Sequence, residues 1–264
     1  MTVGLVGSGP AAAAVEATIS DLSTDIERKE PSNLGSTELG LVVGTVGDKR
    51  VALANKACRA AGIPLLTAEL GGVGGHVVPN LNAAVTGFGP ETACFECLKM
   101  RVAGAQTMSK TDETDAPTAR VAGALLGQAA AQVLAGDSSP LGRVVELPYT
   151  TRRLLPVPGC CCEPDRDRHL RRGATDRSLD ETLDVAEVAV DPRIGIIEQV
   201  AEAESFPVPY YLSTVAKATY SDADVPRHAA GVAADWNPAY MKAIGEALER
   251  YAAAIYRTQD LDSG

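Results

Sequence analysis

Apolar positions in the first part of the chain come in short runs separated by stretches of helical period. Residues 2–6, TVGLV, form a β-rich run that gives way to Gly7-Ser8-Gly9-Pro10 and then to an alanine-rich segment. That order predicts a strand, a glycine turn and a helix. A second alternation follows, with LGLVVGTV at 39–46 as a strand, VALANKACRAAG at 51–62 as a helix closed by glycine, and IPLLTAEL at 63–70 as the next strand. Short all-apolar runs between helices predict a doubly wound, mostly parallel sheet covered on both faces, an α/β arrangement. TDIERKEPSN, between the two alternations, is too polar for a buried strand. Further on, small and apolar residues at helical spacing over 119–136 predict a helix packed closely on the sheet, and GRVVELPY at 142–149 reads as a strand. Near residue 175 the composition turns charged, which divides the chain into residues 1–175 and 176–264. In the second part, GVAADWNPAYMKAIGEALERY at 231–251 is strongly helical, with Trp236 anchoring its start and Pro238 at an early position.

Gly7 and Gly9 belong to a G-x-G-x-x-A turn opening a helix, the pattern that lets a nucleotide phosphate approach a helix N-terminus. In a dinucleotide site an acidic residue should close the second strand about twenty residues on. Asp25 and Glu27 are the only candidates and their surroundings are polar, so the turn reads as mainly structural. Five of the six cysteines form two clusters, Cys94-Phe-Glu-Cys97 and Cys160-Cys161-Cys162. A tetrahedral thiolate site needs two cysteine pairs, each on a short turn. Cys94 with Cys97 supplies one, and Cys160 with Cys162 the other, because alternate residues of an extended segment share a side. A disulfide or unmetallated thiols are the alternatives. The chain has no signal peptide and no apolar run long enough to span a membrane, which places it in the cytoplasm and disfavours disulfides. Cys58 lies on an apolar helix face and reads as packing. Glu246 and Glu249, three apart on a helix, project from one side within reach of one Mg²⁺, an ion usually shared with nucleotide phosphates; a solvated acidic face is the plain alternative.

The net charge is −10, with seven lysines against seventeen arginines. An acidic, lysine-poor surface is common in high-salt cytoplasm, a halophilic signature, and it argues against general nucleic-acid binding. The arginine-rich stretch 166–172 reads as a solvated linker, and 109–119 as a polar loop. His76, His169 and His228 lack a metal-ligand spacing; His76, after GGVGG, reads as supporting a turn.

Three blocks of the second part, DPRIGIIEQV at 191–200, PVPYYLSTVA at 207–216 and the helix at 231–251, resemble the opening of a YcaO domain. That family phosphorylates a backbone amide oxygen with ATP after a nucleophile has added, giving azolines or thioamides in peptides. Its first nucleotide motif, SxxxExxER, matches Lys242 to Arg250, with Lys242 at the serine position. The resemblance implies that Glu246 and Glu249 hold Mg²⁺ of Mg-ATP, with Arg250 bracing the carboxylates or the nucleotide. It also implies later segments beyond Gly264, so the expectation is a component incomplete on its own, whether truncated, split or degenerate. The first part is similar to the ThiF and ubiquitin-activating superfamily: Asp48, Arg50, Asn55 and Ala57-Cys58 follow its order, and TACFECLKMR resembles its zinc-bearing members. The further signature residues of adenylation are missing, which implies a Rossmann-like scaffold with a zinc-knuckle element, followed by an incomplete α+β YcaO segment. Structural zinc on Cys94, Cys97, Cys160 and Cys162 goes with it, and no residue is assigned a catalytic role. The expected partners are a peptide substrate and the remaining YcaO half or another protein, with a homodimer as a further assembly and no nucleic acid or membrane. A noncatalytic docking subunit and a ThiF-type adenylating enzyme are the alternatives.

Overall fold

The computed structural model describes residues 2–22, 24–105, 114–148, 150–163, 177–256 and 258. The arginine-rich stretch with His169, and residues 109–113 of the polar loop, lie outside them. The chain divides into two compact units, Met1–Pro156 and Val157–Gly264. The shift in composition had put the division near 175.

The first unit is built on a seven-stranded sheet. Strands β1 (Thr2–Val6), β2 (Asp25–Arg28), β3 (Leu39–Thr45) and β4 (Leu65–Leu70) lie side by side in the order β2-β1-β3-β4 and run parallel. Strands β5 (Ala83–Phe88), β6 (Arg143–Leu147) and β7 (Thr150–Arg153) continue the sheet as antiparallel neighbours, so five of the seven strands share one direction. Helices α1 (Pro10–Ile19) and α4 (Ala116–Leu134) pack together on one face, where Ala12, Val15, Ile19, Ala122 and Leu126 meet Leu39, Leu41 and Val43 of β3. On β3 the intervening positions face the other way: Gly40 lies against Cys58 of α2 (Lys49–Ala61). Both faces are therefore buried, which is the physical reason this strand is an unbroken apolar run.

The polar segment at 25–28 is a strand after all, the sheet's edge, and its residues are mostly exposed. Only Ile26 of this edge strand packs on the core, so four residues carry too little apolar pattern to read, and the exposed charges discourage further pairing. Glycine ends α2 as expected, with Gly62 in the left-handed conformation at φ 68°. The helix read over 119–136 begins earlier, at Ala116, because Asp115 accepts the Thr118 N–H and caps it.

In the second unit β8 (Ile197–Glu204), β9 (Tyr210–Val215) and β10 (His228–Val232) form an antiparallel sheet in the order β10-β9-β8. α5 (Leu179–Ala186) starts with a capping box between Ser178 and Glu181. Helix α6 (Trp236–Ala254) lays Ile244, Ala247 and Tyr251 into a core with Ile197, Val215 and Ala229. Its small side chains let it approach β10 so closely that a Cβ on Gly231 would run into the α6 backbone. The buried Ser213 hydroxyl then donates to the carbonyls of Ala243 and Ala229, tying helix to sheet. No helix among the described residues is long and apolar enough to cross a membrane.

Candidate functional site

Helix α3 (Phe95–Ala103) begins with Cys94 as its N-cap residue, so Cys94 and Cys97 sit on the helix's first turn. Unsatisfied N–H groups there make this the positive end of the helix dipole. The second pair comes from a tight turn in which the Cys160 N–H donates to the Val157 carbonyl and the Glu163 N–H to the Cys160 carbonyl. The ligand atoms of Cys94, Cys97, Cys160 and Cys162 all lie within 4.8 Å of one another, and all four residues are buried. A tetrahedral zinc–thiolate centre has bonds of about 2.3 Å, which sets its sulfurs about 3.8 Å apart. The four thiols fit such an ion closely. None of the six cysteines is in a disulfide, and Cys161 is exposed with its sulfur 4.0 Å from that of Cys160.

Two buried polar groups around this cluster were not singled out from the sequence for that role. Arg101, 5% exposed, donates from Nε to the Leu155 carbonyl and from Nη2 to the Pro156 carbonyl, each at 2.7 Å, fixing the strand-to-turn segment that leads toward Cys160. Its signal was a cation four residues after Cys97, one helical turn on along the same face. Asn55 accepts the Phe95 N–H at 3.2 Å and so braces the start of α3. Cys58 is a buried packing residue, its thiol pushed up to about 12 by desolvation, which is the opposite of what a nucleophile needs.

The glycine turn sits at the carboxyl end of β1, where the strand order reverses between β1 and β3. Gly7 has φ 121°, and a Cβ there would meet the Val43 carbonyl; Gly9, φ 85°, is the N-cap residue of α1. The carboxyl end of β2 carries Arg28, which donates to the Gly7 carbonyl and pairs with Glu16 at 2.6 Å. Asp25 and Glu27 pair with Thr2 and Gly4 along the strand, so neither closes it. Asp48 caps α2 and accepts from Arg50; burial works to raise its carboxyl, but the Arg50 hydrogen bonds and charge outweigh it and hold it below the ordinary value.

Glu69 is another residue that sequence reading passed over, an acid inside the apolar run LLTAEL. It is 1% exposed and accepts the N–H groups of Gly74 and Gly75 at 2.7 and 2.8 Å, organising the GGVGG loop. Burial pushes its carboxyl up to about 7 against those two hydrogen bonds, with the Asp48 charge adding to the rise. His76 closes the same loop through paired backbone hydrogen bonds with Val73, as expected of a turn-supporting residue.

The acidic couple is on α6. Glu246 is half-buried and Glu249 exposed, and their spacing puts them on neighbouring faces of the helix. Arg250 braces Glu246, donating from Nε to Oε1 at 2.7 Å, and anchors itself through Nη1 on the His228 carbonyl at 2.8 Å. Lys242, at the serine position of the motif, donates to the Val232 carbonyl at 3.0 Å. Trp236 opens the helix edge-on to Tyr211.

No protein-family model matches the chain, and no curated protein does either. Among solved structures it is similar to a heterocyclase in complex with substrate and cofactor, at 14% identity and a TM-score of 0.64, covering 97% of this chain and 40% of that one. It is also similar to the heterocyclase TruD, at 16% identity and a TM-score of 0.48 over 74% of this chain and 33% of that one. The E. coli protein MccB aligns at 15% identity and a TM-score of 0.45 over 65% of this chain and 68% of that one. The fold is thus related to that of the first heterocyclase, of which the chain spans two fifths.

Proposed function

We propose that the chain is a component of an ATP-dependent system that modifies peptide backbone amides, a ThiF-like scaffold joined to the opening of a YcaO domain. The observation that carries this reading is the likeness to a heterocyclase running through 97% of the chain, from the glycine turn to the helix with the acidic couple. In this reading Cys94, Cys97, Cys160 and Cys162 hold a structural zinc, whose contribution is to fix the turns that carry them. Glu246 and Glu249 meet Mg-ATP once further ligands join them, and Arg250 keeps the Glu246 carboxylate in place. Bound ATP would supply the phosphate that takes up the amide oxygen after the side-chain nucleophile has added and closed the ring, so that the oxygen leaves as phosphate while the azoline C=N bond forms. The substrate is a peptide, and the remaining YcaO part or another protein completes the site.

A noncatalytic docking role is the second reading, and one contact favours it: Glu246 already has Arg250 on one of its oxygens. Adenylation is a weaker third, since Asn55 of the signature is buried against the Phe95 amide. Purified from its own host with what accompanies it, the chain should support Mg-ATP-dependent loss of one water per modified amide from a cysteine- or serine-bearing peptide. ADP and phosphate are the expected products. AMP and pyrophosphate would move the assignment to adenylation, and no peptide dehydration in any such preparation would leave the docking role.

A further inference from the structure

We propose that the groove between α4 and the β6–β7 hairpin binds an extended acidic peptide segment, laid along β7 with its carboxylates at Arg143 and Arg153. The groove is a cavity of about 220 Å³ lined by Leu125, Gln128 and Gln132 from α4 and by Arg143, Val145 and Thr151 from the hairpin. Strand alternation sorts the hairpin's arginines between two faces. Arg143 pairs directly with Arg153, and Val145 with Thr151, so these four share the groove side. Val144, Glu146 and Arg152 are on the reverse, where Arg152 meets the Glu146 carboxylate at 3.0 Å with both side chains nearly buried.

One arginine of the hairpin therefore has its counter-charge built in, whereas neither Arg143 nor Arg153 forms a salt bridge among the described residues. Like charges directly opposed across an antiparallel pair repel, and an anion between them converts that repulsion into two attractions. Asp137 lies near Arg143, but its carboxylate is taken by the Ser139 amide and hydroxyl, each at 2.8 Å. In a chain of net charge −10, two facing cations without carboxylates are an unusual local balance. β7 is the last strand of the sheet and three of its four residues are exposed, so its outer edge offers backbone groups to an added strand. An added strand presents alternate side chains to one face, which suits glutamates at every second position. The apolar floor suits the methylene stems of the glutamates, and the amide side chains of Gln128 and Gln132 suit a peptide's polar groups, whereas a polyphosphate has no hydrocarbon to bury there. The inference concerns binding alone and does not depend on the reaction proposed above.

The test uses the full chain and a fluorescein-labelled peptide, Thr-Glu-Val-Glu-Val-Glu-Thr, without ATP. Fluorescence anisotropy should show saturable binding at low salt, about tenfold or more weaker for Arg143→Gln/Arg153→Gln. Lys49→Gln/Lys56→Gln, the same charge change at exposed lysines elsewhere, should leave it within about twofold. Arg143→Glu/Arg153→Glu should lose the glutamate peptide and take up its lysine counterpart. Hydrogen exchange should slow along 150–153 on binding. Circular dichroism verifies folding, which removal of a repulsive pair should not harm. No binding by the parent chain, equal binding of a glutamine version of the peptide, unchanged binding by the double glutamine variant, or stronger competition by single-stranded DNA than by unlabelled peptide would each overturn the proposal.

Discussion

The thiol cluster and the acidic couple differ in how much of their surroundings the fold has prepared. Four sulfurs lie buried within 4.8 Å of one another, with Arg101 and Asn55 bonded to the backbone beside them. The two carboxylates on α6 stand at or near the surface, and the half-buried one is held by an arginine on its own helix. Burial removes water from competition for a cation, so the thiol set is ready to bind on its own terms. A surface couple with one bonded oxygen needs additional ligands before Mg²⁺ gives up its own water. The difference separates a buried thiol set that could take a metal ion without further ligands from a surface couple that could hold one only with ligands from elsewhere.

The largest expected effect is on the thiol side. Cys97→Ser should abolish the one zinc per chain that native mass spectrometry is expected to show, and a strong chelator should lower the parent's thermal midpoint while leaving that of the variant unchanged, because metal binding is linked to folding. A parent chain free of metal after expression in zinc-supplemented medium would remove the contrast between the two sites.

Next is Arg101→Met, which takes away a buried cation with two carbonyl partners and leaves both carbonyls unpaired. A loss of about 3 kcal/mol is expected in urea unfolding, together with faster zinc release to a colorimetric chelator. Unchanged zinc release would show that the arginine supports only the fold.

Glu69 gives a pH signature of similar size. Its folded carboxyl, pushed up to about 7 from an ordinary 4.5, holds a proton that the unfolded chain has already released. Its contribution to stability is therefore fully present below pH 4.5 and lost as pH rises through about 7, by roughly 3 kcal/mol in all. Urea midpoints measured from pH 5 to 8 should fall, and Glu69→Gln should flatten that slope.

The smallest effects belong to the acidic couple. Glu246→Gln removes an i,i+4 pair whose side chains are 40–42% exposed, so stability should change by no more than about 0.5 kcal/mol. Calorimetry should find weak or no Mg-ATP binding by the chain alone. Tight Mg-dependent binding abolished by Glu246→Gln would show that the acidic couple is as complete as the thiol set.

Reading forward from the residues located much of this. The apolar runs marked β1, β3 and β4, the glycine at 62 marked the end of α2, and the Cys94–Cys97 spacing marked one half of the buried thiol cluster. β2 escaped because a four-residue edge strand with one core-facing apolar residue, Ile26, has no alternation to read. Glu69 and Arg101 escaped for a related reason: each is a charge inside an apolar context, and only its buried backbone partners explain why it is tolerated.

By itself, then, the sequence determined local states, since strand or helix period, caps and turn residues act over a few neighbours. Only the tertiary structure decided that Cys160 and Cys162 come within reach of Cys94 and Cys97, that Arg250 rests on the His228 carbonyl as well as on Glu246, and that Arg143 faces Arg153 while Arg152 finds a carboxylate. Those outcomes depend on strand register and on packing between segments far apart in the chain, and a register shift of one residue would have sent every one of the hairpin's side chains to the opposite face.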